Sequence, residues 1–395
     1  MATPENHDQL RLVGVAGANK VMAGELSRLV RRALGDVRLP EPKKEGPGAV
    51  SYPFDARVAW VAVNHHRTSA RVEWALYRSS ATRLEPLYDD LVRAVSEDAR
   101  PWAESGATLG VRARNVADFA AGERQIVGTV KNALVDGAAK RGIRLTVDRE
   151  APGLPFTVRL VEGHVVVSLD LAGRPMHRRG HRVETVAAPL REDLASLLLM
   201  LARFDAKREA LIDPMAGSGT IAIEAACMAD ARPLWKAENP PACARLAPFR
   251  DMAARTDALF PDTVARVLAV DRDEQAARAC RRNVEQASVE ASVRIHAGDF
   301  RELDVDRVKR LLAERGPVPE SALLLSNPPY GERLGDRDLV ALYRDLGRWT
   351  RSFGGCRAGF LVANPDFERA FGGAPRIKKP LSNGPLRGWF LLYDL

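Results

Sequence analysis

The chain has 395 residues, 46% hydrophobic and 28% charged, with 59 Lys+Arg against 51 Asp+Glu for a net charge of +8. That length allows two domains that each bury a core, and the composition is that of a globular chain, not a disordered or collagen-like one. The positive balance suits a polyanionic partner, although an arginine-rich proteome gives the same figure. In chain order, apolar spacing predicts a helix over 22–34, and the Pro, Gly, Lys and Glu of 39–53 predict a linker or loop. Residues 57–63 alternate as a strand and 71–76 do so weakly. A helix at 84–96, a strand at 108–113 and a helix at 123–136 follow. Two strands, 154–160 and 164–171, pair across Glu162-Gly163. This alternation describes a small α+β domain over roughly the first 172 residues.

The second half is more regular. Helices are predicted at 190–204, 220–230, 274–287, 305–314 and 339–353, and strands at 210–215, 264–271, 293–296, 322–326 and 358–363. An irregular insertion at 233–261 contains Trp235 and Phe249, read as packing residues before base-stacking ones. The end, 376–378 and 388–393 around Ser382-Asn383-Gly384-Pro385, reads as a hairpin. Helices that repeatedly separate apolar strands predict an α/β, doubly wound, mostly parallel sheet, to which the hairpin adds an antiparallel strand.

Cys227, Cys243, Cys280 and Cys356 lie far apart without a C-x-x-C pair, so neither a zinc site nor a disulfide framework is expected. Cys227 and Cys280 fall in apolar helical patterns and are expected to be buried thiols. His65 and His66 read as surface residues beside a strand, and no metal is expected. The start, 1–9, is polar and contains acids, unlike a secretory signal, and the longest apolar runs are too short to cross a bilayer. The expectation is a cytoplasmic monomer with no membrane association and no obligate protein partner.

The first chemical motif is Asp213-Pro214-Met215-Ala216-Gly217-Ser218-Gly219-Thr220. Asp213 ends an apolar strand, Gly217 and Gly219 permit a tight turn and close backbone approach, and Thr220 opens a helix with free N–H groups. Asp271 ends the next strand, followed by Arg272, and can accept from both hydroxyls of a ribose. Asp299 could accept from an adenine amine while Phe300 packs on the ring. Gly217-x-Gly219-x-x-Ala222 also fits a dinucleotide fingerprint, but that fold wants its acid about 20 residues on. Asp271 lies 52 residues past Gly219 (271 − 219), and no hydride-transfer residues follow. S-adenosylmethionine is therefore the expected cofactor.

The second motif is Ser326-Asn327-Pro328-Pro329-Tyr330-Gly331. An exocyclic nucleobase amine is a poor nucleophile because its lone pair is delocalised into the ring. The Asn327 oxygen and the Pro328 carbonyl can accept its N–H groups and stabilise charge as the nitrogen becomes tetrahedral. Pro328 and Pro329 fix the backbone beforehand, and Tyr330 can stack on the base, worth ~1–3 kcal/mol. No strong base is needed, because the methylated amine acidifies. The cysteines lack the context of a C5 mechanism.

These residues resemble the THUMP-domain class I methyltransferases of RNA, above all the bacterial 23S rRNA guanine-N2 group. The likeness is carried by 168–182, by 188–195, by the glycine loop, by Asn327 to Tyr330 and by Asn383-Gly384-Pro385-Leu386, and it covers about 165–395. Residues 119–136, with Glu123-Arg124-Gln125, resemble the later helix of a THUMP domain. The rest of the first 160 residues departs from the family, with Val15-Ala16-Gly17-Ala18 near the start. The resemblance implies a seven-stranded Rossmann-like methyltransferase domain over 190–395 and a basic connecting segment at 173–189. Ahead of these it implies a THUMP-like domain at 46–172 and a divergent, ferredoxin-like remnant at 1–45. Some relatives carry a second methyltransferase beyond the point where these 395 residues stop. Arg174, His177, Arg178, Arg179 and Arg182 form a cationic run suited to RNA phosphates, or to pairing with Glu184, Glu192 or Asp193. The expected reaction is methylation of guanine N2 in ribosomal RNA. Guanine N2 of transfer RNA, adenine N6 of RNA or DNA, and an RNA-binding assembly factor with a vestigial transferase are the alternatives.

Overall fold

A computed structural model describes residues 5–185, 189–252, 263–330, 336–383 and 386–395. Over these it forms two compact units. One gathers Met1–Gly14, Met22–Met176 and Pro233–Arg255, the other Val15–Val21, His177–Arg232 and Thr256–Leu395.

The first unit carries β1 (Glu5–Gly14), most of α1 (Asn19–Leu34), β2 (Lys43–Lys44), β3 (Ala49–Pro53), α2 (Ala56–His65), β4 (Ser69–Ser79) and α3 (Leu84–Glu97). It continues with β5 (Thr108–Arg114), α4 (Glu123–Lys140), β6 (Thr146–Val147), β7 (Leu154–Val161) and β8 (His164–Asp170). Its sheet runs β2-β3-β1-β4-β8-β7-β5-β6. The predicted β7–β8 hairpin forms, with Glu162 at φ 50° and Gly163 at φ 76°, the two positive angles a tight turn needs.

Three sequence expectations change here. Residues 39–53 are not simply a linker, because β3 pairs with β1 through Leu10↔Tyr52 and Leu12↔Val50. Gly46, Pro47 and Gly48 form the turn before β3, and the Pro and Gly around it mask the strand's four buried residues, Ala49 to Tyr52. Residues 1–45, read as a segment of their own, supply β1 to the interior of the sheet, between β3 and β4. Residues 57–63 are helical. The Asp55 carboxylate caps α2 by accepting from the Arg57 and Val58 amides at 2.8 and 3.2 Å. Every side from Val58 to His65 is buried, so alternation could not report a face. His65 and His66 are consequently buried, 4% and 0% exposed, with His66 Nε2 hydrogen-bonded to the Met22 carbonyl at 2.9 Å.

The insertion after residue 232 packs within this unit through two short 3-10 turns, Ala242–Arg245 and Ala247–Phe249. Trp235 Nε1 donates to the Val63 carbonyl at 2.8 Å, and Phe249 packs against Trp60 and Phe54. Both aromatics are buried packing residues.

The second unit holds α5 (Glu192–Leu201), β9 (Glu209–Asp213), α6 (Thr220–Ala229), β10 (Val267–Asp271), α7 (Glu274–Ala287), β11 (Val293–Ala297) and α8 (Val305–Ala313). It ends with β12 (Ser321–Ser326), α9 (Asp336–Arg351), β13 (Arg357–Val362), α10 (Phe367–Phe371), β14 (Ile377–Asn383) and β15 (Leu386–Asp394). The order is β11-β10-β9-β12-β13-β15-β14, parallel except for β15, which runs antiparallel to both of its neighbours. The predicted seven-stranded sheet and terminal hairpin are both present. Strand order reverses between β9 and β12, which puts a crevice at their carboxyl ends. Arg357 Nη2 of β13 donates to both oxygens of the Glu209 carboxylate, at 2.6 and 2.7 Å, and locks the opposite edge. The sequence gives no sign of α10, whose five residues are too few for periodicity. Its Phe367 and Phe371, four apart, pack on Phe360. Cys227 and Cys280 are buried, as expected.

In the first unit α3 and α4 meet at Gly137, where a Cβ would lie 2.6 Å from Val95 Cβ. Gly137→Ala should lower the stability of this unit by about 1–3 kcal/mol, the usual cost of overpacking. Denaturant unfolding followed by tryptophan fluorescence measures it, and an unshifted midpoint would show that the helices can part.

Candidate active site

The glycine loop leaves β9 at Asp213 and is tied to the neighbouring strand. The Ala216 amide donates to the Val270 carbonyl at 2.9 Å, and the Gly219 amide to Ala216 at 2.9 Å. Gly219 sits at φ 84°, and a Cβ there would lie 2.5 Å from Cys280 Sγ, so both conformation and space demand glycine. Thr220 then opens α6. The Asp271 carboxylate accepts from the Gly217 amide at 2.8 Å and from the Asp273 amide at 3.0 Å. One bond to each oxygen fixes its orientation and leaves lone pairs for two more donors. Pro214 is buried, Ala216 and Gly217 are half-buried, and Arg272 is exposed beside Asp271.

Asp213 joins the two motifs. It is 1% exposed and accepts from Ser326 Oγ at 2.6 Å and from the Met215 amide at 3.2 Å. Burial pushes its carboxyl up to about 7, against the pull of those donors. Asn327 follows Ser326 directly, so the glycine loop and the Asn-Pro-Pro-Tyr loop depart from adjacent, cross-linked strand ends. Within the second loop the Tyr330 hydroxyl donates to Asn327 Oδ1. Tyr343 of α9 donates to the Pro329 carbonyl at 2.7 Å and seats the loop from below. Pro328 is buried, and Asn327, Pro329 and Tyr330 are half-buried. Gly331 lies outside the described residues, as do Ala188 and the Gly384-Pro385 of the tail motif.

The third strand end differs from expectation. Both oxygens of Asp299 bond to the Arg301 guanidinium, at 3.0 and 2.5 Å, which holds the carboxyl below its ordinary value. Phe300 is 3% exposed and packs edge-on to Trp349 in the hydrophobic core. It is a core residue here and offers no free ring face.

The cationic run divides by environment. Arg174, in the first unit, stacks over Trp235 at 4.5 Å and donates to the Asn239 carbonyl at 2.8 Å. In the second unit Arg179 is sealed in an ion pair with Glu224 at 2.9 Å, its side chain 4% exposed. Glu224 also accepts from Ser196 Oγ at 2.6 Å. A guanidinium so enclosed cannot meet a phosphate, and Arg179 leaves the RNA-contact set. Arg182 pairs with Glu192 at 3.2 Å and bonds Thr220 Oγ1 at 3.2 Å, which brings it to the glycine loop. Burial pushes His177 down to about 4, so its ring is neutral near pH 7. Arg178 alone of the run is exposed.

One residue the sequence reading missed holds this arrangement. Asn283, 1% exposed, accepts from the Val183 and Glu184 amides at 2.9 and 3.1 Å, and donates to the Glu184 and Ser218 carbonyls at 2.9 and 3.0 Å. All four bonds an amide side chain can make are used, and they clamp the connecting segment to the glycine loop. The available signal was an asparagine in the apolar stripe Cys280, Asn283, Val284 of an otherwise amphipathic helix.

A parallel sheet with its order reversing between β9 and β12, acids ending its first two strands and an antiparallel last strand defines the class I methyltransferase fold. Residues 179–390 match the family model described as RMKL-like, methyltransferase domain, and the chain belongs to that family. It is 30% identical over 408 residues to ribosomal RNA large subunit methyltransferase K/L of Syntrophotalea carbinolica, covering 96% of this chain and 52% of the relative. It is 32% identical over 407 residues to the Pseudomonas entomophila protein of the same name, covering 98% and 52%. The chain thus spans about half the length of these relatives. A solved structure of a possible methylase from Clostridium difficile 630 shares the fold, with a TM-score of 0.78 at 24% identity over 98% of each chain.

Asp213 makes stability depend on pH. Its carboxyl titrates near 4 unfolded and at about 7 folded, so its proton favours the folded state below about pH 4, and that advantage is lost as pH rises to 7. Asp213→Asn keeps an acceptor for Ser326 and removes the titration. The stability of the variant relative to the parent should therefore rise by up to about 4 kcal/mol between pH 4 and pH 8. Melting temperatures across that range test it, and parallel curves would refute a buried, proton-holding Asp213.

Proposed function

We propose that the chain is an S-adenosylmethionine-dependent methyltransferase that acts on the exocyclic N2 amine of a guanine in structured RNA, with 23S ribosomal RNA as the substrate. The α+β first unit serves as its THUMP-like RNA-holding part. The observation that carries the reading is the Ser326–Asp213 bond, which hangs an amine-accepting loop beside a glycine loop. The names of the relatives support the ribosomal substrate.

The residues fit the cofactor. Asp271 is oriented by two amides with lone pairs to spare, Gly217 and Gly219 take the positive φ angles, 54° and 84°, that turn the loop, and the first amides of α6 open beside them. Bound there, S-adenosylmethionine supplies an electrophilic methyl group. Asn327 Oδ1 and the Pro328 carbonyl hold the two N–H groups of the amine and draw its lone pair out of the ring. For this Asn327 exchanges the Tyr330 hydroxyl for the substrate, and Tyr330 stacks on the base. The amine would take the methyl carbon as the carbon–sulfur bond breaks and a neutral thioether leaves, and the acidified nitrogen would then lose its proton to water past Asn327. Tyr343 keeps the Pro329 carbonyl in place throughout. Arg178 remains for phosphate contact from the connecting segment.

Incubation with labelled cofactor and ribosomal RNA, followed by nucleoside analysis, should give N2-methylguanine. Its absence across several RNAs sinks the reading, and 6-methyladenine would move the substrate to the alternative amine. Asn327→Ala should lower kcat by about 10²–10³, as loss of one charge-stabilising contact does. Cofactor affinity, read by calorimetry, should stay within about threefold. Asn283→Ala, which frees the glycine loop, should reverse the pattern, weakening the cofactor about tenfold at ~1.4 kcal/mol and sparing kcat at saturation.

A further inference from the structure

One face of the first unit's sheet carries a network of enclosed charge. Arg11 of β1 bonds Glu45 at 2.6 Å and Glu73 of β4 at 3.0 Å. Arg159 of β7 takes the other oxygen of Glu73, and Arg71 of β4 pairs with Asp170 of β8. Arg114 of β5 stands opposite Arg159 in the parallel register, so its side chain leaves the same face, as does that of Arg112 two residues earlier.

Five guanidiniums (Arg11, Arg71, Arg112, Arg114, Arg159) therefore share the face with three carboxylates (Glu45, Glu73, Asp170), and each carboxylate already holds an arginine. Arg114 has no hydrogen-bond or ion-pair partner among the described residues. Arg159, 7% exposed, keeps a buried Nε without a partner. Burial pushes the Arg114 guanidinium below its ordinary value, and Arg71 and Arg159 push it further, with Glu73 and Asp170 opposing. The surplus positive charge thus collects at the Arg114 end of the network. An anion there would relieve it, and the planar fork of a guanidinium matches phosphate oxygens in pairs.

We infer that Arg114, flanked by Arg112, is a binding site for a backbone phosphate of the RNA substrate. The inference rests on the RNA reading above. It adds a contact point on the sheet of the first unit.

The test uses the full chain and a ribosomal RNA fragment, with dissociation constants measured by fluorescence anisotropy from 50 to 200 mM salt. Arg114→Gln should bind about tenfold more weakly at the low-salt end, and the slope of log K against log salt should flatten by about 0.7–0.9, the signature of one lost phosphate contact. KM for RNA should rise while kcat at saturating RNA, cofactor affinity and melting temperature hold. Arg114→Lys keeps the charge and should keep the slope. An Arg114→Gln chain with the parent's affinity and slope overturns the inference, as does an Arg114→Lys chain as impaired as Arg114→Gln. A parent that binds RNA with this salt dependence but methylates none defeats the proposed reaction alone, and the site still stands or falls on the Arg114 slopes.

Discussion

The second unit is organised around an aspartate that water cannot reach. A carboxyl group taken out of water must be bonded or protonated, and Asp213 is both supplied with donors and raised toward neutrality. Its principal donor, Ser326, comes from β12, the strand across the reversal of sheet order. That one bond spans the place where an open α/β sheet has its crevice. The register Leu211↔Leu323 and Ile212↔Leu324 carries it to the strand ends, so the loops that follow cannot drift apart without breaking a buried polar pair. Asp271 does similar work one strand over, spending one lone pair on each of two amides and so presenting its remaining acceptors in a fixed direction.

Much of this was legible in the sequence, for a physical reason. Strands buried on both faces read as apolar runs, helices between them read with a 3.6 period, and Gly217, Gly219, Pro328 and Pro329 mark backbone that must bend or must not. What sequence could not show was where a side chain is already spent. Asp299 and Phe300 follow a strand as Asp271 does, yet Arg301 occupies the carboxylate and Trp349 the ring. Asn283 carries no motif, and its importance is entirely in having four partners at once. In the first half, the run at 57–63 alternates and is nonetheless a helix, because Asp55 caps it and every side is buried. β1 and β3 went unseen because strands in an antiparallel sheet are specified by their partners, which here lie 36 (Val13↔Ala49, 49 − 13) to 44 (Gln9↔Pro53, 53 − 9) residues apart in the chain.

The connecting segment shows how one stretch can be both linker and part of the site. Read as a string, residues 174–182 are a cationic tether. In the fold its charges are distributed among tasks: Arg179 neutralises the buried Glu224, Arg182 bridges Glu192 and Thr220, and the backbone at Val183 and Glu184 is held by Asn283. A buried ion pair such as Arg179–Glu224 contributes little net stability over an apolar pair, but removing one partner strands the other. Its use is to fix a geometry. The geometry fixed here runs from α5 through α6 to the glycine loop, so the order of that loop depends on the segment that leads into the unit.

The same distinction between charge present and charge available bears on the chain's +8 balance. Net charge is an argument about long-range attraction, and it counts every arginine equally. Short-range recognition counts only those with donors to spare. Arg11, Arg71, Arg159, Arg179 and Arg357 are each paired with a buried or half-buried carboxylate and present little to a partner. Arg114 and Arg178 are exposed and have no such pair among the described residues, so their donors are available. A polyanion approaching the chain would be drawn by the sum but held by the remainder. That remainder lies where a strand or a loop puts a cation among cations instead of beside an acid.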